Sequence, residues 1–185
     1  MRKWVSVVAA AMCLACAPFA ASAQGAPFKA ELPVLVTSSG QSLDAFTAKT
    51  LLTRAGVANE YKALAKVADL DKAKTLVIAF GASVKGFGAA GVTADTELAR
   101  TRELLAAARQ KKIRVIGMHI GGAERRTGLS KEIVELVAPA SEWLIVWEDG
   151  NGDGYFTKLA AEKKIPLSVI KQPMESGKIL AAAFK

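Results

Sequence analysis

A run of six mostly apolar, β-favouring residues, Thr75–Phe80, limits the folds open to this chain more than any other feature. A run of this length that ends at a glycine, here Gly81, predicts a strand buried on both faces. The chain then repeats the same unit, an apolar run followed by a polar or glycine-rich loop and a helical pattern. Parallel strands need crossover connections, so the repetition predicts a mainly parallel sheet between two helical layers. We therefore expect a three-layer α/β/α fold of five to six strands, flavodoxin-like or Rossmann-like.

The remaining strands are predicted from shorter apolar runs. They are residues 34–36, 61–67, 113–120, 143–147 and 167–170. The segment 61–67 fits a strand least well, because Ala and Lys are poor strand formers. The segment 81–91 contains four glycines and is predicted to be a loop whose backbone can approach a ligand closely.

The start of the chain has the pattern of an export signal. Arg2 and Lys3 precede an almost wholly apolar stretch, 4–17, and Ala21-Ser22-Ala23 fits a cleavage site. The expected organisation is a cleaved signal peptide at 1–23, a leader at 24–33 and a single α/β domain at 34–185. The protein is therefore expected to be periplasmic or secreted. A retained N-terminal anchor and lipid attachment at Cys16 are the alternatives.

Composition excludes several classes of function. Both cysteines, Cys13 and Cys16, lie within the predicted signal, so the expected mature chain has no disulfide and no cysteine metal site. The net charge of +8 comes from Lys and Arg residues scattered along predicted helices, which favours solvated surfaces over nucleic-acid binding. After the signal no stretch approaches ~20 continuous apolar residues, so no transmembrane segment is expected in the mature chain.

Polar side chains and glycines follow the predicted strands, and ligands of parallel α/β sheets bind outside the carboxyl ends of the strands. The residues in these loops are therefore candidates for binding a small polar or anionic ligand. They are Ser38, Ser39, Gln41, Ser83, Lys85, Gly86, Gly88, His119, Gly121, Gly122, Arg125, Arg126, Asn151 and Asp153. Among them, Arg125 and Arg126 offer guanidinium groups that can bind a carboxylate or phosphate through two parallel hydrogen bonds.

Two of these loops match known binding patterns in part. Residues 86–91 fit G-x-G-x-x-G, but Gly86 lies several residues beyond the strand and no acid follows at the usual distance, so dinucleotide binding is disfavoured. Asp149, Asn151 and Asp153 have the spacing of the first calcium ligands of an EF-hand loop. The twelfth position, however, is Ala160, which cannot supply the usual bidentate carboxylate. We expect a turn there, with calcium as the alternative and no other cofactor.

The single histidine, His119, ends a predicted buried strand. It could serve as a general base in a hydrolase with Ser39 or Ser83 as nucleophile. However, the sequence lacks the G-x-S-x-G pattern of a nucleophile elbow. A histidine that only makes structural hydrogen bonds is the alternative.

Four sequence segments together resemble a known family. They are Leu-Val-Thr-Ser-Ser-Gly-Gln-Ser (35–42), Lys-Gly-Phe-Gly-Ala-Ala-Gly (85–91), Met-His-Ile-Gly-Gly (118–122) with Arg125-Arg126, and Gly-Asn-Gly-Asp-Gly (150–154). With the export signal, this set resembles a family of small exported bacterial single-domain α/β proteins classified only as a domain of unknown function. The resemblance implies an extracytoplasmic location and one α/β domain, but it implies no activity and no cofactor.

The expected function is thus that of an exported protein that binds a small polar or anionic ligand at the carboxyl end of its sheet. A hydrolase that uses His119 with a loop serine is one alternative, and an interaction module of an envelope complex is another. The sequence identifies no protein partner.

Overall fold

The computed structural model describes residues 28–184, so the predicted signal peptide and the first residues of the predicted leader lie outside the described part of the chain. The sheet has six parallel strands in the order β2-β1-β3-β4-β5-β6. The strands are β1 (Val34–Ser39), β2 (Asn59–Tyr61), β3 (Thr75–Phe80), β4 (Arg114–His119), β5 (Trp143–Trp147) and β6 (Leu167–Ile170).

Six α-helices connect or follow these strands. They are α1 (Asp44–Arg54), α2 (Val84–Ala90), α3 (Ala94–Gln110), α4 (Ser130–Val137), α5 (Tyr155–Lys163) and α6 (Ser176–Ala182). One face of the sheet packs against α1 and α6, through residues such as Leu52 and Leu180. The other face packs against α3, α4 and α5, through residues such as Leu104, Ile133 and Phe156. The predicted three-layer α/β/α fold is confirmed.

The central strands are buried along their whole length, as their apolar runs predict. Every residue of β1 and of β3 is buried. A strand between two helical layers has no solvated face, so its sequence does not alternate between apolar and polar residues. Among the described residues, no helix is both long enough and apolar enough to cross a membrane.

Two predicted segments differ from the structure. The second strand is not 61–67 but Asn59–Tyr61, three residues that pair only with β1 at the border of the sheet. The supposed loop 81–91 is largely the helix α2, in which the Ser83 hydroxyl accepts a hydrogen bond from the Gly86 amide and Phe87 is buried. Capping and burial of Phe87 therefore outweigh the low helix propensity of the glycines.

The sheet order locates the place where a ligand would be expected. The connection from β1 leads outward to β2, whereas β3 to β6 follow on the other side of β1. The carboxyl ends of β1 and β3 therefore flank the point at which the direction of strand addition reverses. Such a reversal leaves a crevice between the neighbouring loops, and in open α/β sheets this crevice is the usual binding place.

Candidate functional site

The loops after β1 and β3 bond directly to each other across this crevice. The Gly81 amide donates to the Ser39 carbonyl at 2.9 Å, and the Ser83 amide donates to the Gly40 carbonyl at 2.7 Å. Gln41 and Ala82 form an isolated antiparallel bridge. A Cβ at Gly40 would overlap the Gly81 carbonyl, so a glycine is required for this approach. The backbone thus closes the deep part of the crevice.

A buried ion pair holds the loop after β1 from the α3 side. The Glu97 carboxylate, which is fully buried, accepts hydrogen bonds from the Gly40 amide and the Gln41 side chain, each at 2.8 Å. Arg100 donates to the same carboxylate through Nε at 2.9 Å and through Nη2 at 2.8 Å. Burial raises the pKa of this carboxyl, but the hydrogen bond and charge of Arg100, with two further donors, outweigh burial and hold the pKa below its usual value. Gln41 is therefore a structural residue of the loop.

The sequence reasoning missed Glu97 and Arg100. Glu97 lies in the first turn of α3, where an acid complements the helix dipole even when it has no other role. Its position one helical turn before Thr101, a buried residue of the same helix, was the available signal that Glu97 faces inward. The Thr101 hydroxyl lies 2.9 Å from that of Ser39, so Ser39 also contributes to this structural cluster.

Arg125 extends over the carboxyl ends of β3 and β4. The aliphatic part of its side chain packs closely on Gly81 and Gly121, where any Cβ would meet it. Its Nη1 donates to the Ala82 carbonyl at 2.6 Å, and its Nε lies 3.7 Å from the Asp44 carboxylate, beyond hydrogen-bond distance. The side chain is 30% exposed. Arg125 is therefore fixed in position while part of its guanidinium stays accessible.

The guanidinium of Arg126, by contrast, is occupied by contacts within the protein. Its Nη2 donates to the Asp153 carboxylate at 2.7 Å. Its guanidinium carbon lies 4.6 Å from the ring centre of Tyr155 and 4.9 Å from that of Phe156. Only 14% of the side chain is exposed. The arginines predicted as a pair thus face different surroundings, and only Arg125 retains accessible donors.

His119 is fully buried at the end of β4. Its Nδ1 lies 3.1 Å from the Phe80 carbonyl oxygen and its Nε2 lies 3.3 Å from the Gly122 carbonyl oxygen. Burial lowers the pKa of His119 below its usual value, although the two carbonyl contacts act in the opposite direction. The imidazole is therefore neutral near pH 7, and only one of its nitrogens donates a hydrogen bond.

The candidate serines make separate contacts. The Ser39 hydroxyl is engaged with Thr101, and the Ser83 hydroxyl caps α2. Within residues 28–184, neither of them is hydrogen-bonded to His119. The Ser38 hydroxyl is buried, and no hydrogen-bond partner for it lies in the described part of the chain.

The polar segment after β5 forms a turn that leads into α5. The Asp149 carboxylate accepts from the Ala123 amide at 2.8 Å, the Asn151 side chain from the Phe156 amide at 3.0 Å, and the Asp153 carboxylate from the Tyr155 amide at 3.1 Å. Backbone amides thus bind the oxygens considered as calcium ligands. Within residues 28–184, no three His, Cys, Asp or Glu side chains are grouped closely enough to hold a metal ion.

The glycines of the predicted site have different environments. Gly86 lies inside α2 against the Gln41 carbonyl, which a Cβ would overlap, whereas Gly88 has open space around it. Because Gly86 lies within the first turn of α2, it does not occupy the tight turn of a dinucleotide-binding fingerprint. Lys85 is exposed on the same helix. Gly122 adopts a φ of 74° and packs against Trp147 and Asp149.

Contacts among these residues bring the segments after β1, β3, β4 and β5 together at one end of the sheet. Arg125 connects the loop after β3 to the loop after β4. Gly150 packs on the ring of His119, so the loop after β5 joins the same cluster. Most of the polar atoms in this cluster bond to each other, whereas Arg125, beside the reversal point, is a charged group that keeps accessible donors.

Two solved structures are similar to this chain at low sequence identity and low TM-score. The chain is similar to a GDSL-like lipase from Bacteroides thetaiotaomicron VPI-5482, with 13% identity, a TM-score of 0.37 and coverage of 81% of this chain and 83% of that chain. It is also similar to AlinE4, an SGNH-hydrolase family esterase, with 12% identity, a TM-score of 0.30 and coverage of 77% and 76%. The comparison with curated protein sequences gives no match.

One family model covers most of the chain. It matches residues 31–184 and is described as a domain of unknown function, DUF6305. The match confirms the resemblance inferred from the four sequence segments, and it includes every strand and every helix of the sheet domain. The chain therefore belongs to the family of the domain of unknown function DUF6305.

Proposed function

We propose that this protein binds a small anion at the carboxyl end of its sheet and that Arg125 is the residue that holds it. The observation that carries the proposal is the position of Arg125. Its side chain rests on Gly81 and Gly121, which follow β3 and β4 beside the reversal point of the sheet, and its guanidinium uses one hydrogen bond while 30% of the side chain is exposed. A guanidinium has five N–H donors, so donors remain for a ligand.

Packing holds the Arg125 side chain in one position before any ligand binds. An exposed arginine loses rotamer freedom when it binds a ligand, whereas Arg125 is already held by Gly81, Gly121 and the Ala82 carbonyl. Less conformational entropy is therefore lost on binding. The Asp44 carboxylate, 3.7 Å from Nε, partly offsets the positive charge, so we expect moderate affinity.

The closed crevice limits the ligand to a small size. The loops after β1 and β3 are hydrogen-bonded to each other, so a ligand meets the outer side of the crevice and not its deep part. A phosphate, a sulfate or a short carboxylate can approach Arg125 from the solvent and accept two parallel hydrogen bonds. The net charge, +8 for the full chain and +6 after loss of Arg2 and Lys3 with the signal, would assist the approach of anions. We place this binding in the periplasm or outside the cell, because of the signal pattern at 1–23.

The contacts of His119 give no support to the hydrolase alternative. Both of its ring nitrogens face backbone carbonyls, and Ser39 and Ser83 bond elsewhere. A general base has to lie within hydrogen-bond reach of the proton that it removes. Anion binding at Arg125 is thus the function that the geometry supports best.

The test is a thermal unfolding series with inorganic phosphate, sulfate and short carboxylates. At a ligand concentration of tenfold Kd, binding to the folded state alone adds about 1.4 kcal/mol, which raises Tm by roughly 3–5 °C in a chain of this size. Arg125→Gln should remove the rise, and Arg125→Lys should reduce it because Lys lacks the planar fork. Arg102→Gln, which removes an equal charge from an exposed position on α3, should leave the rise intact. An undiminished rise in Arg125→Gln would contradict the proposal.

A further inference from the structure

A second concave surface lies at the opposite, amino end of the sheet. It is a cleft of about 640 Å³ between the end of α3, the start of β4 and the turn before β5. The largely buried side chains of Leu105 and Ile113 form its floor, and the half-buried Pro139 lies at its side. The volume is within the range of about 300–1,000 Å³ that is usual for small-molecule sites.

The rim of this cleft has an excess of positive charge. Arg109, Lys112 and Arg114 line it together with one acid, Glu142. The Glu142 carboxylate already accepts from Arg114, with Nε at 2.7 Å, and from the Val115 amide at 3.3 Å. The ion pairs found among residues 28–184 include neither Arg109 nor Lys112. Two cations therefore face the cleft without a carboxylate partner in the described part of the chain.

Helix polarity alone does not explain why these cations border a cleft. Positive side chains at the end of α3 complement the helix dipole, and Lys111 does so too. Lys111, however, pairs with Asp71 at 2.9 Å and does not line the cleft. Lys111 thus shares the helix end with Arg109 and Lys112 but differs in its surroundings, which makes it a matched control.

We propose that this cleft binds an amphipathic anion, a molecule that joins a negatively charged group to an apolar chain or ring. The apolar part would cover Pro139 and the remaining exposed surface of Leu105 and Ile113, where burial of apolar surface contributes about 25 cal/mol per Å². The anionic group would lie between Arg109 and Lys112. This site is separate from Arg125, which lies at the other end of the sheet, and it requires a ligand with an apolar part.

The experiment uses anilinonaphthalene sulfonate, an amphipathic anion whose fluorescence rises in an apolar environment. The double variant Arg109→Gln/Lys112→Gln should raise its Kd about tenfold, a loss of roughly 1.4 kcal/mol from two partly exposed charges. Lys111→Gln and Arg102→Gln, which each remove a positive charge from α3 or its end outside the cleft, should leave the Kd close to that of the unchanged protein. Ala140→Asp, which adds a negative charge at an exposed position beside the cleft, should weaken binding independently.

Competition defines the ligand class. Decanoate should displace the probe at concentrations at which inorganic phosphate, which has only the charge, and decanol, which has only the chain, do not. Three results would overturn the proposal: an unchanged Kd in the double variant, an equal weakening in Lys111→Gln, or displacement by phosphate as effective as that by decanoate. None of these results bears on anion binding by Arg125.

Discussion

Glu97 shows how one buried charge can fix a loop at the carboxyl end of the sheet. Its carboxylate binds the Gly40 amide, the Gln41 side chain and Arg100 within 2.8–2.9 Å. A buried carboxylate without partners would be strongly unfavourable, whereas one with four donor contacts is stable and holds each donor in place. Arg100 also donates to the Ser38 carbonyl, so the end of β1 is fixed by the same pair.

We predict that Glu97→Gln lowers the free energy of unfolding by roughly 3 kcal/mol, because Arg100 is left largely buried without a counter-charge. Urea unfolding at pH 7 measures the loss. Glu103→Gln removes an exposed acid from the same helix and should change the free energy of unfolding by no more than about 0.5 kcal/mol. Equal effects of the two substitutions would mean that the buried pair has no special role.

The contribution of Glu97 should also depend on pH. Its pKa is lower in the folded state than in the unfolded state, so its stabilisation is present above the unfolded pKa, about 4.3. As the pH falls through the folded pKa, this stabilisation is lost. The difference in unfolding free energy between the unchanged protein and Glu97→Gln should therefore shrink at acidic pH. A difference that stays constant from pH 7 to pH 3 would contradict the assignment.

In α2, tertiary contacts outweigh the preference of the local sequence for a loop. Four glycines in 81–91 favour a loop, yet Ser83 caps a helix, Phe87 is buried and Gly91, with a φ of 66°, ends it. Gly86 is placed where α2 touches the loop after β1, so a side chain there would separate the two. Gly88, on the same helix, has free space.

Replacement by Ala should change the free energy of unfolding in opposite directions at these two glycines. Gly88→Ala should raise the free energy of unfolding by about 0.5–1 kcal/mol, because Ala is the better helix former. Gly86→Ala brings the same gain in propensity, but its Cβ overlaps the Gln41 carbonyl, so we expect net destabilisation by roughly 1–3 kcal/mol. Denaturant unfolding of both variants checks the contrast. Stabilisation by both substitutions would show that α2 does not press against the loop.

Elements that depend on strong local patterns were predictable, and those that depend on tertiary partners were not. Thr75–Phe80 is a strand at its predicted bounds because a fully buried parallel strand reads as a continuous apolar run. β2 was placed too far along the chain because a three-residue border strand carries almost no pattern. Arg125 and Arg126 are neighbours in sequence. Only the fold shows that Arg125 packs on two glycines, whereas Arg126 is hydrogen-bonded to the Asp153 carboxylate.

At the scale of the whole molecule, the parallel sheet determines which loops can meet. All six strands run in one direction, so the loops after β1, β3, β4 and β5 meet at one end and the cleft near Arg109 lies at the other. This convergence was predictable from the repeating strand–loop–helix unit. The loops bond mainly to each other and leave Arg125 accessible. This arrangement depends on side-chain positions that no periodic pattern in the sequence predicts.

Cleavage of the export signal would decide which form of the chain acts in the cell. The Ala21-Ser22-Ala23 pattern predicts cleavage before Gln24. Intact mass spectrometry of the exported protein should therefore give the mass of residues 24–185. A mature form that begins at a lipid-modified Cys16 would show that the anchored alternative is correct.

An NMR titration with inorganic phosphate tests whether Arg125 binds a small anion at the carboxyl end of the sheet. The largest saturable shifts should appear at the amides of Gly81, Gly121 and Gly122 and at the Nε–H of Arg125, and they should vanish in Arg125→Gln. Titration with sodium chloride at matched ionic strength is the control. Saturable shifts confined to residues 109–115, or none that saturate, would contradict the claim.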